Sequence, residues 1–199
     1  MVAVVLLAAG SVVSHAAGAA DLSAPVVLVA SSRLDGSPYH QAVVVAAPLP
    51  DGRGHIGLIV NRPTPFKLEK LLPDDAAAHN VSDPVYVGGP SLARGLFAVM
   101  RKAPDGAEGV VPLVDGLVAV MDGATIDRIL KSTPNDARYY VGLMLWAPGE
   151  LESEVEQSAW DVRACDADAI MNSNAAGLWK ALHGTVSASL AVPQPRRPT

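Results

Sequence analysis

Ala42 to Pro63 reads AVVVAAPLPDGRGHIGLIVNRP. Ala42 to Ala47 is a short, β-branched apolar run, and His55 to Val60 is another. Asp51-Gly52-Arg53-Gly54 lies between them and carries the glycines that a tight connection needs. The stretch therefore reads as a hairpin of two buried strands. Pro63 and Pro65 stop the second strand, because proline has no N–H to give to a ladder.

Working outward, Val26 to Ala30 is a further buried strand, followed by a polar loop from Ser31 to Tyr39. Downstream, Lys67 to Leu72 is expected to form a short helix ended by Pro73. A strand over Val85 to Val87 runs into Gly88-Gly89-Pro90. Leu96–Met100, Gly109–Val114 and Leu117–Met121 suggest three more strands, with Asp-Gly turns at 105–106 and 115–116. Ile126, Ile129 and Leu130 recur at helical spacing within a helix over Ala124 to Ser132. Arg138 to Trp146 is apolar on both faces and reads as a central strand. Glu150 to Ser158 is then a helix and Trp160 to Ala164 an edge strand. Ala175 to His183 forms a last helix, with Asn174 as N-cap and Gly184 at C′. Strands dominate early and helices are interspersed later, which is an α+β order rather than a βαβ repeat.

The 199 residues are 50% hydrophobic and 18% charged, so the composition is that of a folded chain rather than a disordered one. A single cysteine excludes a disulfide scaffold. The net charge of -5 argues against direct nucleic-acid binding. The apolar excess is concentrated in Met1 to Ala20, which holds no Asp, Glu, Lys or Arg and ends in Ala17-Gly18-Ala19 before Ala20. That pattern is a secretory leader without its positive n-region, too short for a transmembrane helix of about 20 apolar residues. A start codon placed too late would account for the missing charge. The expected organisation is a leader over residues 1–20, one domain over 21–184 and a Pro/Arg-containing tail over 185–199. The mature chain, which has no membrane span, is then periplasmic or exported, or cytoplasmic if the leader does not work.

Candidate chemistry is sparse. Asn61 and Arg62 end a strand beside a proline; they either bind a ligand, with Arg62 clamping a carboxylate or phosphate, or satisfy loop backbone and a local acid. Gly88 and Gly89 either offer backbone N–H groups to an anion or form a tight turn that needs positive φ. Arg94 would add charge to such a site or stand on the surface. Glu150, Glu152, Glu154 and Glu156 are too spread around a helix to converge on one ion, and acids in a first turn suit the helix dipole. The histidines lack metal-ligand spacing, so no metal is expected, and with neither G-x-x-x-x-G-K-[ST] nor G-x-G-x-x-G in the chain no cofactor is expected. Trp146, Trp160 and Trp179 read as core anchors.

Several pieces, in order, resemble the YqgE/AlgH family: VLVASSRLDG from Val27, GHIGLIVNRP from Gly54, PVYVGGP from Pro84, LWAPGELESEV from Leu145, Trp160, and GLWKAL from Gly177. The chain departs from the family where glycines often flank the tryptophan, here Leu145 and Ala147, and where Val99-Met100 replace a common Leu-His pair. The resemblance implies an α+β fold with a branched, partly barrel-like mixed β-sheet surrounded by helices. It brings a transcriptional-regulator label linked to alginate production, but no catalytic or cofactor residues. The function expected is a non-enzymatic binding or accessory protein of the cell envelope. Asn61, Arg62, Gly88, Gly89, Arg94 and Trp146 would form a cleft for a small anion or a protein partner. The alternatives are an enzyme using Cys165, His55 or the Glu150 helix, and an indirect regulator acting through a protein partner.

Overall fold

The hairpin is the middle of a ten-stranded sheet. A computed structural model of the protein describes residues 20–172 and 174–183. Its strands are β1 (Val26–Ala30), β2 (Val43–Pro48), β3 (His55–Ile59), β4 (Pro63–Lys67), β5 (Pro84–Val87), β6 (Ser91–Met100), β7 (Val110–Pro112), β8 (Val118–Val120), β9 (Ala137–Trp146) and β10 (Trp160–Arg163). The helices among the described residues are α1 (Gly123–Ser132), α2 (Glu150–Glu156), α3 (Ala167–Ile170) and α4 (Leu178–His183). The main path of the sheet is β10-β1-β2-β3-β9-β6-β8-β7, with β5 and β4 branching from β9. The sheet curls into a half-barrel with the helices around it.

Strand β2 is buried on both faces. Val43, Val45 and Ala47 enter one core with Leu58, Tyr140 and Leu143, while Val44 and Ala46 enter another with Ile59, Trp146 and Trp160. A third core lies under α1, where Ile126, Ile129 and Leu130 pack on Ala98, Val120 and Tyr139. Asp122 caps α1 by accepting the Thr125 N–H at 2.8 Å, and this bond holds its carboxyl below the usual carboxylate range.

The branch lies along one edge of β9. The first half of that edge takes β5 in parallel, with Tyr86 opposite Tyr140 and Val87 opposite Val141. Its last residues take β3 antiparallel, with Gly57 opposite Met144 and His55 opposite Trp146. Gly88 joins the two: its N–H donates to Val141 O and its carbonyl accepts the Ile59 N–H, both at 2.8 Å. The backbones come too close there for side chains. A Cβ at Gly88 would stand 2.3 Å from Gly142 O, and one at Gly142 would stand 2.2 Å from Gly89 O. Gly142 also has φ +68, a left-handed value within a strand.

The hairpin, the central strand and α1 follow the sequence expectation. Five details differ. Strand β3 ends at Ile59, before the prolines, as expected, but Pro63–Lys67 then forms an unexpected edge strand β4, whose outer side needs no N–H and whose register with β5 is irregular. Lys67 to Leu72 is not a helix; only Leu68–Lys70 makes a 3₁₀ turn before Pro73. Strand β6 begins at Ser91, five residues before the expected start. The short helix α3, unmarked by periodicity, is capped by Asp166 through the Ala169 N–H at 2.7 Å. Asn174 precedes a 3₁₀ turn and its side chain caps nothing, while Gly184 lies outside the described residues. So do the expected leader up to residue 19 and the tail. Among the described residues, no helix is long and apolar enough to cross a membrane.

Replacing Gly142 by alanine combines a left-handed φ with a backbone collision. It is expected to cost at least about 4 kcal/mol or abolish folding. Gly36→Ala is the control, because φ there is +77 but nothing lies within 4 Å of the new Cβ. That change should cost only about 1–2 kcal/mol. Urea denaturation of both variants checks the contrast, and equal losses would refute the packing account.

Candidate functional site

Asn61 is 8% exposed and both ends of its amide are engaged. Oδ1 accepts the Val43 N–H at 2.9 Å, and Nδ2 donates to Gln41 O at 2.8 Å. Arg62 donates to the carbonyls of Pro38 and His40, the latter at 3.0 Å. Its partners are main-chain carbonyls rather than an acid. Burial lowers the Arg62 pKa, but a guanidinium stays charged at any physiological pH. The pair thus forms a clasp on the loop between β1 and β2.

Gly88 and Gly89 sit at the sheet branch, and the Gly88 N–H is already bonded to Val141 O. Arg94 lies elsewhere, on a bulge of β6. Ser91 pairs with Leu143 and Leu96 with Val141, so five steps along β6 match two along β9. The extra length carries Leu92, Ala93 and Arg94 outward, all exposed. Leu92 is 57% exposed and held at φ +48. Arg94 has no hydrogen bond or ion pair among the described residues.

Trp146 is buried, and Gly57 makes room for its indole: a Cβ there would stand 2.7 Å from Trp146 Cζ3. Its Nε1 donates to Glu154 Oε2 at 2.9 Å, and Trp160 Nε1 donates to the same oxygen at 2.7 Å. The acidic run divides its labour. Glu150 accepts the Ala147 N–H at 2.8 Å, Glu154 joins two tryptophans, and Glu152 faces His55.

The six sequence candidates are therefore distributed over the β1–β2 loop clasp, the sheet branch, the β6 bulge and the tryptophan core. Two further groups emerge from the fold: Arg138, unmarked in the sequence, and a cavity that joins His55 to Glu152 of the Glu150 helix, both named in the enzyme alternative. Arg138 is 1% exposed on β9. It donates to Ile170 O at 2.8 Å and to Met171 O and Asn172 O at 3.1 Å, and its Cζ lies 4.5 Å from the Tyr86 ring centroid. A buried cation is tolerable only when so many dipoles replace its water. One arginine in an apolar strand carries no signal of this in the sequence, since its partners lie more than 30 residues away.

The second group is a cavity of about 350 Å³ between the β2–β3 turn and the start of α2. Leu22, Pro48, Leu49, His55, Pro148 and Glu152 are among its walls. His55 is 5% exposed, and its Nε2 lies 3.0 Å from Leu22 O. Its Nδ1 lies 3.9 Å from Glu152 Oε1, beyond hydrogen-bond range. Nδ1 and Glu152 Oε2 are buried atoms with no partner. Arg62 bonds the β1–β2 loop instead, and Cys165 lies on the segment before α3, its Sγ 3.7 Å from Asp166 O. Burial, with Asp166 and Asp115 nearby, pushes the Cys165 thiol up and disfavours the nucleophilic thiolate. Among the described residues, no three His, Cys, Asp or Glu side chains gather where they could hold a metal ion.

A half-barrel sheet branched at glycines and surrounded by helices makes this an α+β domain. The AlgH-like family model matches residues 27–191, and the chain belongs to that family. A UPF0301 protein of Streptomyces coelicolor is 30% identical over 160 residues, covering 77% of this chain and 81% of that protein. One from Anaeromyxobacter dehalogenans is 31% identical over 147 residues, covering 69% and 74%. The solution structure of AlgH from Pseudomonas aeruginosa superposes with a TM-score of 0.64 at 22% identity, over 89% of this chain and 96% of that one. The crystal structure of a Corynebacterium diphtheriae protein gives 0.61 at 20% identity, over 79% and 83%.

Glu154→Ala leaves two indole N–H groups without an acceptor. The expected loss is about 1–3 kcal/mol for each, with a change in tryptophan fluorescence. Glu154→Gln keeps a carbonyl oxygen and should lose less. For Cys165, iodoacetamide should alkylate the folded protein more slowly at pH 8 than the unfolded chain. The folded protein's rate should rise through a midpoint above that of an ordinary thiol, because only the thiolate reacts.

Proposed function

We propose that this protein is a non-enzymatic accessory protein of the cell envelope that engages a protein partner through the bulge of β6. The observation that carries the reading is Leu92: a large apolar side chain, 57% exposed, on a backbone at φ +48. A left-handed leucine costs about 1–2 kcal/mol relative to an ordinary conformation. Strain of this kind concentrates where a surface does work, and bulges re-aim side chains for that purpose. Arg94, without an ion pair among the described residues, adds a cation two residues on. An apolar anchor beside a free arginine is the chemistry of a protein contact, with an acidic group on the partner opposite the guanidinium.

Support for a binding role also comes from where the polar side chains are spent. Asn61, Arg62, Arg138 and Glu154 each serve the fold through main-chain or indole partners. The envelope reading is supported by the uncharged apolar run over Met1 to Ala20 and its Ala17-Gly18-Ala19 ending.

Fractionation with N-terminal sequencing tests location. A periplasmic chain beginning at Ala20 or a near neighbour is expected, and a cytosolic chain beginning at Met1 would overturn it. Leu92→Gly tests the bulge. It should raise thermal stability by relieving the backbone while cutting cross-linking to envelope proteins at least tenfold. Arg94→Glu should cut cross-linking with no change in melting temperature. Unchanged cross-linking in both variants would remove the bulge as the docking surface.

A further inference from the structure

We propose that the cavity at His55 and Glu152 binds a small ligand through a primary ammonium group carried on a short apolar stem. The ring of His55 is oriented by Leu22. The Leu22 carbonyl can only accept, so the His55 Nε2 at 3.0 Å carries the proton. In the neutral imidazole Nδ1 is then a bare acceptor. It is buried, lines the cavity and has no partner. The Glu152 carboxylate beside it is a second acceptor, with Oε2 likewise unpartnered. Buried acceptors without donors are rare because each forfeits its hydrogen bond to water. Nδ1 and this carboxylate, whose Oε1 lies 3.9 Å from it, are matched by one group with several N–H donors and a positive charge.

The spacing suits that group. Nδ1 and Oε1 are 3.9 Å apart. A single nitrogen at roughly 2.8 Å from both would see them at roughly 90°, within reach of two N–H bonds of one ammonium. A hydroxyl has one proton and serves only one acceptor. A carboxylate or phosphate would add a third acceptor and repel Glu152. Around the polar pair, Leu22, Pro48, Leu49 and Pro148 offer an apolar wall to the stem. The volume of about 350 Å³ is at the small end of ligand sites. This inference is independent of the β6 docking surface.

The test is a ¹H–¹⁵N NMR titration of the whole protein with n-butylammonium chloride. Saturable shifts are expected at Gly54, His55, Gly149 and Glu152. Tetramethylammonium, charged but without N–H donors, and 1-butanol, with one donor and no charge, should both bind at least tenfold more weakly. Glu152→Gln, on a side chain 45% exposed and so tolerant of change, should weaken n-butylammonium at least tenfold. Putrescine and Nα-acetyl-lysine amide, titrated separately, distinguish a free amine from a lysine side chain, and saturable binding of either supports the site. No saturable shift with any primary amine would mean that water alone bridges the pair, and the proposal would fall. Equal binding of tetramethylammonium, or full affinity in Glu152→Gln, would overturn it as well.

Discussion

The close approach of Gly88-Gly89 to Gly142 is the contact on which the rest of the sheet depends. A single strand, β9, must take β5 and then β3 along the same edge. Two strands can share one edge only if the chain between them passes within backbone contact of the host strand. That is what the Gly88 hydrogen bonds to Val141 and Ile59 accomplish. Any side chain at the crossing would meet a carbonyl oxygen at little over 2 Å. The glycines are there because of contact distance as much as turn geometry.

From the branch the candidate features follow in order. Strand β3 leaves it heading into Asn61-Arg62, which fix the β1–β2 loop by its carbonyls and by the Val43 N–H. At the other end of β3, His55 lies opposite Trp146. That pairing brings the His55 cavity beside the Trp-Ala-Pro-Gly turn and the start of α2. On the far edge of β9, the strand that follows the glycines pairs at Ser91, leaves and rejoins at Leu96, and its surplus residues become the Leu92–Arg94 bulge.

Whatever was legible in the sequence was encoded by near neighbours. The β2–β3 hairpin is written in two β-branched runs and a glycine-rich turn, and α1 in the spacing of Ile126, Ile129 and Leu130. The misread parts depend on partners far away in the chain. The prolines do follow the end of β3, but β4 at Pro63–Lys67 went unread because nothing local shows that β5 returns to pair on one side of them. The bulge in β6 is a mismatch of lengths between two strands, visible only once they are paired. Asn61 and Arg62 stood out as residue types, and the sequence allowed ligand or loop as their partner; their hydrogen bonds are to loop backbone. Glu154 and Arg138 were hidden for the opposite reason, being ordinary residues given special roles by the fold.

The same reasoning separates two kinds of polar residue in this protein. Arg138 is satisfied so fully, by three carbonyls and an aromatic face, that burying it leaves only Nε without a hydrogen bond, 3.8 Å from an Asp83 oxygen. Glu154 is likewise matched, one oxygen to two indoles. His55 begins in the same way, with one nitrogen fixed by Leu22, but stops halfway. Its other nitrogen faces an acceptor across a cavity rather than a donor across a contact. A donor at that place would complete the hydrogen bonding of the histidine. Glu152 places carboxylate oxygens there instead, and with the imidazole neutral these and Nδ1 are all acceptors. Such a pair gains most from one arriving group that donates to both, which is what the proposed ammonium does.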